Sequence, residues 1–479
     1  MRWLPTVRSR AVDGPARLGG RARTTALIVA SALLMEQLDS TVLTTALPAM
    51  SRSFAVDPLH MSVALTSYLV GLAVFIPASG RFADRLGSRT VFRAAIALFV
   101  LGSLLCAQAP NLPLLAAARL LQGLGGAMMV PVGRLVLLRT VPKAQIVSAM
   151  SWMLVPASLG PMLGPPLGGI LTTYLSWRWI FYINLPIGLL GMVLTTRYIP
   201  QLRDPEDGGF DPIGMAQSGI SLACLIFGLE SASRGAGSMG ATVAILAVGL
   251  AAGLLYARHA RRTTNPILDF RLMREPTFRL SVLGGSATRI ATGGSAFLIP
   301  SMLQLGFGLS AAQSGLVTFC GPLGAVCMRI FTRRLLRRYG FRTLMTMNGL
   351  SAGVLLFACA LFRPGWPFWI LSLVLFLNGL AQSLQYMSYN TIAYADIKGE
   401  RMSAATSFYT TFQQMTLTLG ICIAAGSMAV SRALAGRQAI GLADFSVALG
   451  VVGALALLAA PVSSRLDPLA GREISGHGA

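Results

Sequence analysis

Residues 25–50 read TALIVASALLMEQLDSTVLTTALPAM, an apolar run interrupted in its interior by two acids, Glu36 and Asp39. At 1.5 Å per residue a helix of this length crosses a hydrocarbon layer of roughly 30 Å with a little tilt. The stretch therefore predicts a transmembrane helix. Glu36 and Asp39 stand three apart and share a helical face, so both can turn toward a protein interior or a wet cavity instead of lipid. An ionisable side chain at that depth costs roughly 2.5–3.5 kcal/mol on insertion scales, and a cost of that size points to function. The competing reading is a neutral, hydrogen-bonded acid that only staples helices together.

The rest of the chain has the same character. Its 479 residues are 54% hydrophobic and only 12% charged, with a mean hydropathy of +0.66, which excludes a soluble protein of several domains and predicts an all-α polytopic membrane protein. Apolar runs recur up to Pro461 without the alternation that barrel strands require, and fourteen transmembrane helices are expected. The net charge of +22 does not indicate nucleic acid, because the basic residues are spread over short loops. Of the 39 Lys and Arg, 31 fall in the two tails and in alternate loops that share their side, six on the opposite side, and two, Arg119 and Arg289, inside helices. By the positive-inside rule both termini are cytoplasmic, and residues 1–24 and 463–479 are cytoplasmic tails. The six cysteines lie in apolar spans without disulfide or metal spacing. No metal or other cofactor is expected.

Helices are expected near 25–50, 61–79, 90–108, 112–140, 146–174, from Ser176 onward, then 213–232, 239–259, 280–305, 311–331, 344–362, 366–394, 403–431 and 445–460. The fourth carries Arg119 and Gln122 on one face. Counted from the outer helix ends, Arg119 and Asp39 differ in depth by roughly 3 Å, so the two can meet across a cavity. A buried arginine keeps its proton and needs such a partner, whereas Arg134, nearer the cytoplasmic end, snorkels. The fifth helix holds Gly160, Pro161, Gly164, Pro165, Pro166, Gly168 and Gly169, small notches for a neighbouring backbone combined with residues that loosen a helix, and reads as a hinge. Glu230 falls near an outer helix end, where it is expected to be solvated. Arg289 is placed mid-membrane, and Asn378, Gln382, Gln385, Tyr386, Tyr389, Asn390, Gln413 and Gln414 supply amides and phenols for a wet cavity or for bonds between helices.

Two loops repeat. Gly80 to Thr90 reads GRFADRLGSRT, and a shift of 253 residues lays Arg85, Gly87, Arg89 and Thr90 on Arg338, Gly340, Arg342 and Thr343. Asp84 meets Arg337 in that alignment. Repeated halves characterise transporters that rock one half against the other.

These features together resemble the major facilitator superfamily and, within it, the fourteen-helix drug:proton antiporters. Leu38-Asp39-Ser40-Thr41 through Ala46-Leu47-Pro48 is similar to the family's first-helix signature. Gly80 to Arg89 resembles the loop between helices 2 and 3, Arg119 to Gly123 the helix 4 motif linked to proton coupling, and Gly160, Gly164, Pro165, Gly168 and Gly169 the antiporter motif of helix 5. Gly125 to Gly133 is similar to a subgroup of multidrug exporters. The resemblance implies a major facilitator fold: a six-helix bundle at 25–199, a linker with two inserted helices at 200–278, and a second six-helix bundle at 279–462. It implies a gate at Gly80, Asp84, Arg85, Gly87 and Arg89 on the cytoplasmic side.

The function expected is proton-coupled multidrug efflux of small amphipathic or cationic compounds by a monomer in the cytoplasmic (inner) membrane, an activity of the kind that underlies antibiotic resistance. Asp39 and Arg119 would couple protons; Glu36, Gln122, Arg289, Asn378, Gln382, Gln385, Tyr386 and Gln413 would line the substrate cavity. The partners are then a small-molecule substrate, protons and the lipid bilayer, with no nucleic acid. An anion exporter, carrying a carboxylate metabolite or its metal complex on Arg119 and Arg289, is the first alternative. A membrane receptor or scaffold that keeps a transporter's fold is the second. Three histidines, no nucleophile with a base at matching spacing and no phosphate-binding loop argue against an enzyme.

Overall fold

Lipid offers no partner to a backbone amide, so an apolar chain that crosses it closes its hydrogen bonds within helices. The computed structural model describes residues 19–141, 146–203, 211–234, 238–263, 266–397 and 401–475, and every regular element among them is helical. The first group of helices is α1 (Gly20–Phe54), α2 (Ser62–Leu86), α3 (Ser88–Gln108), α4 (Leu112–Thr140), α5 (Ile146–Tyr174), the single turn α6 (Trp179–Tyr182) and α7 (Asn184–Tyr198). The pair α8 (Pro212–Arg234) and α9 (Met239–Arg262) follows. The last group is α10 (Pro276–Ser301), α11 (Ala311–Thr318), α12 (Cys320–Ala360), α13 (Phe368–Ile392), α14 (Met402–Leu434), α15 (Leu442–Leu457) and two short turns, α16 (Ala459–Ser463) and α17 (Arg472–Ser475).

Eleven helical stretches among the described residues are long and apolar enough to cross a membrane, against the fourteen expected. One of them, Ala311–Ala360, runs through a sharp break. α5 and α10 stand outside the eleven, although they are 29 and 26 residues long. Glycine, serine and threonine dilute the hydropathy of α10.

The helices are longer than the apolar runs. α1 begins before Thr25 and continues through Pro48 to Phe54. The two expected loops at 80–90 and 333–344 are almost wholly helical, because Arg, Leu and Ala are strong helix formers whatever their charge. Each break is instead confined to one glycine, Gly87 at φ 93° and Gly340 at φ 70°, a region that a side chain makes costly. These two glycines are the residues matched by the 253-residue shift. The same shift relates Gly71 to Gly324, and each lies against a backbone carbonyl of a neighbouring helix, Leu120 of α4 and Phe376 of α13 respectively. The repeat in the sequence is thus a repeat in packing.

α1 packs along α5, α2 and α3 pack on α4, α10 on α14, and α12 on α13. The pair α8–α9 is attached through α8 to both α2 and α14. At the end formed by the α1–α2 and α14–α15 turns, here the distal end, the first and last groups are stitched together. Arg432 Nη1 lies 2.6 Å from Asp57 Oδ2, Gln304 Nε2 donates to Thr45 O at 2.9 Å, and the Ala312 amide donates to Thr173 Oγ1 at 3.0 Å.

Candidate functional site

The unbroken α1 places Asp39 deep inside the first group of helices, where it is almost fully buried. Arg119, from α4, is 0% exposed and points back at it, with Nη1 2.5 Å from Asp39 Oδ2. Asp39 Oδ1 accepts from Gln122 Nε2 at 2.7 Å and from Asn184 Nδ2 at 3.0 Å. The guanidinium also donates through Nε to Ala64 O at 3.0 Å and through Nη1 to Gln122 Oε1 at 2.7 Å. Its flat face covers the Tyr68 ring at 4.4 Å, a contact that strengthens when both groups are desolvated. Ser103 closes the network by accepting from Gln122 at 2.8 Å and from Asn184 at 3.2 Å. Side chains from α1, α3, α4 and α7, with a carbonyl from α2, therefore hold a charge pair in a place water does not reach. A pair this well satisfied survives burial, and removal of one member leaves the other uncompensated.

Glu36, one turn away on the same face of α1, is buried too, and its Oε2 has no hydrogen-bond partner. Arg119 Nη2, Tyr68 Oη and Asn184 Oδ1 are likewise unpartnered. The site thus keeps spare polar atoms around one charge pair.

The other expected cavity residues divide. Gln122 is 0% exposed and belongs to the Asp39 network. Gln385 is sealed between helices, accepting from Asn348 Nδ2 at 2.9 Å and donating to Met345 O at 3.1 Å. Neither faces open space. Arg289 and Tyr386 come together, with the guanidinium 4.0 Å above the ring and Nη2 unpartnered. Gln382 accepts from Thr292 Oγ1 at 2.7 Å, Gln413 donates to Asn390 Oδ1 at 2.9 Å, and Asn378 Oδ1 is buried without a partner. Arg289 and Gln413 line one small cavity with Ser281, Ser286, Tyr409 and Thr416. No carboxylate among the described residues lies within ion-pair distance of Arg289.

Of the expected gate, the side chains of Gly80 and Asp84 lie outside the described residues. Arg85 is exposed and Arg89 half-buried. A feature the sequence did not signal clasps the break at Gly87. Gln201, beyond α7, donates to Leu86 O at 3.1 Å and to Thr90 Oγ1 at 2.8 Å, and the Ser88 amide donates to Leu202 O at 2.9 Å. In α5, Gly160, Gly164 and Gly168 face Gln37, Thr41 and Thr45 of α1, while Gly169 and Pro165 face Ala311 and Gly315 of α11.

Asn184 and Ser103 were not legible as members of the site, since nothing in their spacing marks them. Glu230 corrects an expectation outright. It is not solvated but 0% exposed, wedged between α2 and α14, where it accepts from Ser62 Oγ and, at 3.2 Å, from Cys422 Sγ. Stranding a buried donor costs about 1–3 kcal/mol. Glu230→Ala is therefore expected to lower the thermal unfolding midpoint of the detergent-solubilised protein, and Glu230→Gln, which keeps an acceptor oxygen, to lower it by much less; equal midpoints for the two variants would contradict this.

Comparison with known proteins agrees with the architecture. The sequence profile of the Major Facilitator Superfamily matches residues 29–421. The curated "Putative multidrug resistance protein MdtD" of Salmonella heidelberg (strain SL476) is 40% identical over 418 residues, covering 87% of each chain, and its Salmonella typhi counterpart gives the same figures. Among crystal structures, a D-xylose-proton symporter superposes with a TM-score of 0.66 at 13% identity, over 92% of this chain and 97% of its own. The human organic anion transporter MFSD10 (TETRAN) does so at 0.61 and 15%, over 92% and 99%.

Proposed function

The chain belongs to the major facilitator superfamily, and from that premise we propose that it is a proton-coupled exporter of small amphipathic or cationic compounds. It acts as a monomer in the inner membrane with both termini in the cytoplasm, and it works by alternating access between two six-helix bundles, with α8 and α9 inserted between them. The observation that carries the proposal is the Asp39–Arg119 pair, an ionisable carboxylate buried in a membrane span and matched by a single guanidinium. The description of the MdtD relatives as multidrug resistance proteins supports the export of varied cargo.

In this reading Asp39 carries the proton and Glu36 meets the cargo. Asp39 is closed off by three donors, so a cargo cation cannot displace Arg119 directly. Glu36 has an oxygen without a hydrogen-bond partner one turn away. A proton on Asp39 would cancel the charge that balances Arg119, and the relaxation of Arg119 toward its neighbours would link protonation to the packing of α1 against α4. The distal stitching by Asp57 and Arg432 then belongs to a state closed at the outer side, with the cavity reached from the cytoplasm.

The test is uptake of fluorescent cations into everted vesicles with and without an imposed pH gradient. Accumulation is expected to need the gradient; an equal signal in both conditions would end the proton-coupling proposal. A second reading, export of an organic anion, draws on one observation, the unpaired Arg289 above Tyr386. There Arg289→Gln would abolish transport while neutralising Glu36 would not. A receptor or scaffold would move neither kind of cargo.

A further inference from the structure

Among the eleven apolar stretches of the described residues, α9 is the least buried, with only 17% of its apolar window inside the protein. One stripe along it passes from Val243 through Leu250 and Leu254, 60% and 65% exposed, to Arg258 and Arg261 at its last turns. Positions 250, 254, 258 and 261 share a face. The stripe therefore changes from hydrocarbon-compatible to cationic within one turn, as a surface spanning the acyl and headgroup layers of a lipid must.

The chain then folds back beneath that turn. Tyr256 Oη donates to Leu268 O at 3.0 Å and accepts from the Leu268 amide at 2.6 Å, which fixes the returning segment against α9. Asp269 caps the short turn Phe270–Arg274 by accepting from the Arg271 amide at 2.9 Å, and its other oxygen is held by Arg401 at 2.9 Å. The result is a groove lined by Ala257, Ala260, Arg261, Asp269, Phe270 and Arg271. Its one carboxylate is already engaged, whereas Arg258, Arg261, Arg262, Arg271 and Arg274 are exposed and have no ion-pair partner among the described residues. Phe270, also exposed, sits at the rim with its ring braced edge-on by Phe408 at 5.6 Å.

We propose that this groove is a binding site for an anionic phospholipid, with the phosphate between Arg261 and Arg271, an acyl chain along Leu254 and Leu250, and Phe270 at the headgroup boundary. Guanidinium groups suit phosphate because two N–H donors can engage two oxygens at once. The apolar stripe distinguishes a lipid from free phosphate, which would have no use for it. The proposal stands on the membrane placement of α9 alone and does not depend on the cargo or on proton coupling.

The full-length protein in mixed micelles, examined by native mass spectrometry, tests it. Dioleoyl phosphatidylglycerol is expected to stay bound in preference to dioleoyl phosphatidylcholine. With about 1 kcal/mol, or roughly fivefold, from each basic residue near an anionic headgroup, Arg261→Gln/Arg271→Gln should weaken retention by tenfold or more. The paired control Arg333→Gln/Arg334→Gln should leave it within twofold of native. Equal retention of the two lipids, equal loss in both double variants, or displacement of the glycerolipid by millimolar inorganic phosphate would overturn the proposal. Should the groove variant fail to fold, the native protein in 0.5 M salt decides the matter: screened attraction must cut retention of the anionic lipid and leave the zwitterionic one unchanged.

Discussion

Asp39→Ala is expected to abolish proton-driven export and also to reduce the amount of folded protein, whereas Asp39→Asn is expected to abolish export with a much smaller loss of protein. The difference follows from what each side chain leaves behind. Alanine strands a fully buried Arg119, whose remaining acceptors are the Ala64 carbonyl and the Gln122 amide oxygen. An uncompensated charge created in this way costs roughly 3–5 kcal/mol. Asparagine keeps an oxygen for Arg119 and lets the Asn184 amide turn so that its Oδ1, otherwise unpartnered, accepts a new N–H, but it cannot take up a proton as a carboxylate can. Export in everted vesicles should fall at least tenfold in both variants when normalised to protein. Native-level, gradient-dependent export by Asp39→Asn would refute the assignment of Asp39. The double variant Asp39→Leu/Arg119→Leu sharpens the test, because replacing both members of a buried pair with apolar groups is often neutral for stability. It should recover protein abundance and leave export absent.

That site shows where reading the sequence succeeds and where it stops. Glu36 and Asp39 announce themselves because a charge in an apolar run is conspicuous, and Arg119 can be matched to Asp39 because helical rise converts residue numbers to depth. Asn184 and Ser103 are invisible at that level. They are small polar residues of a kind that occurs throughout the chain, and only the packing of α3 on α4 and of α7 on α3 and α1 brings them to the carboxylate. Glu230 differs from its expectation for a related reason: distance from a helix end measures depth, not cover, and α2 and α14 close over it from either side. The basic segments differ from expectation in the other direction. Charge suggests irregular chain, but arginine is a good helix former, and one glycine with positive φ is enough to turn α2 into α3. The 253-residue repeat is legible because both halves place a glycine where the backbone takes positive φ.

Gly168→Ala is expected to be the most damaging single methyl group that can be added to the α5 face packed against α1. A Cβ there would lie 2.3 Å from Thr45 Oγ1 and 2.5 Å from the backbone oxygen of Val42, and a carbonyl inside a helix cannot step aside. At Gly164 the clash is closer still, 2.0 Å from Thr41 Oγ1 and 2.6 Å from Thr41 Cβ, but it is with a side chain, and the nearest backbone atom is Val42 N at 3.2 Å. The two positions therefore predict opposite responses to a compensating change in α1. Thr41→Gly should restore a large part of what Gly164→Ala removes, less the roughly 1 kcal/mol that a glycine costs inside a helix. Thr45→Ala should not rescue Gly168→Ala, because Val42 O remains. Overpacking of this kind costs about 1–3 kcal/mol, and here it acts on the helix that also touches α11 through Gly169 and holds the Ala312 amide through Thr173. Pushing α5 away from α1 must disturb that distal contact, so the cost falls on the state in which the distal end is closed. A penalty of 1.4 kcal/mol shifts such an equilibrium tenfold. Disulfide formation between Thr173→Cys and Ala312→Cys reports the closed state directly, and in Gly168→Ala it should fall severalfold along with export. Unchanged cross-linking accompanied by lost export would place the role of α5 in contact with cargo and not in closing the distal end.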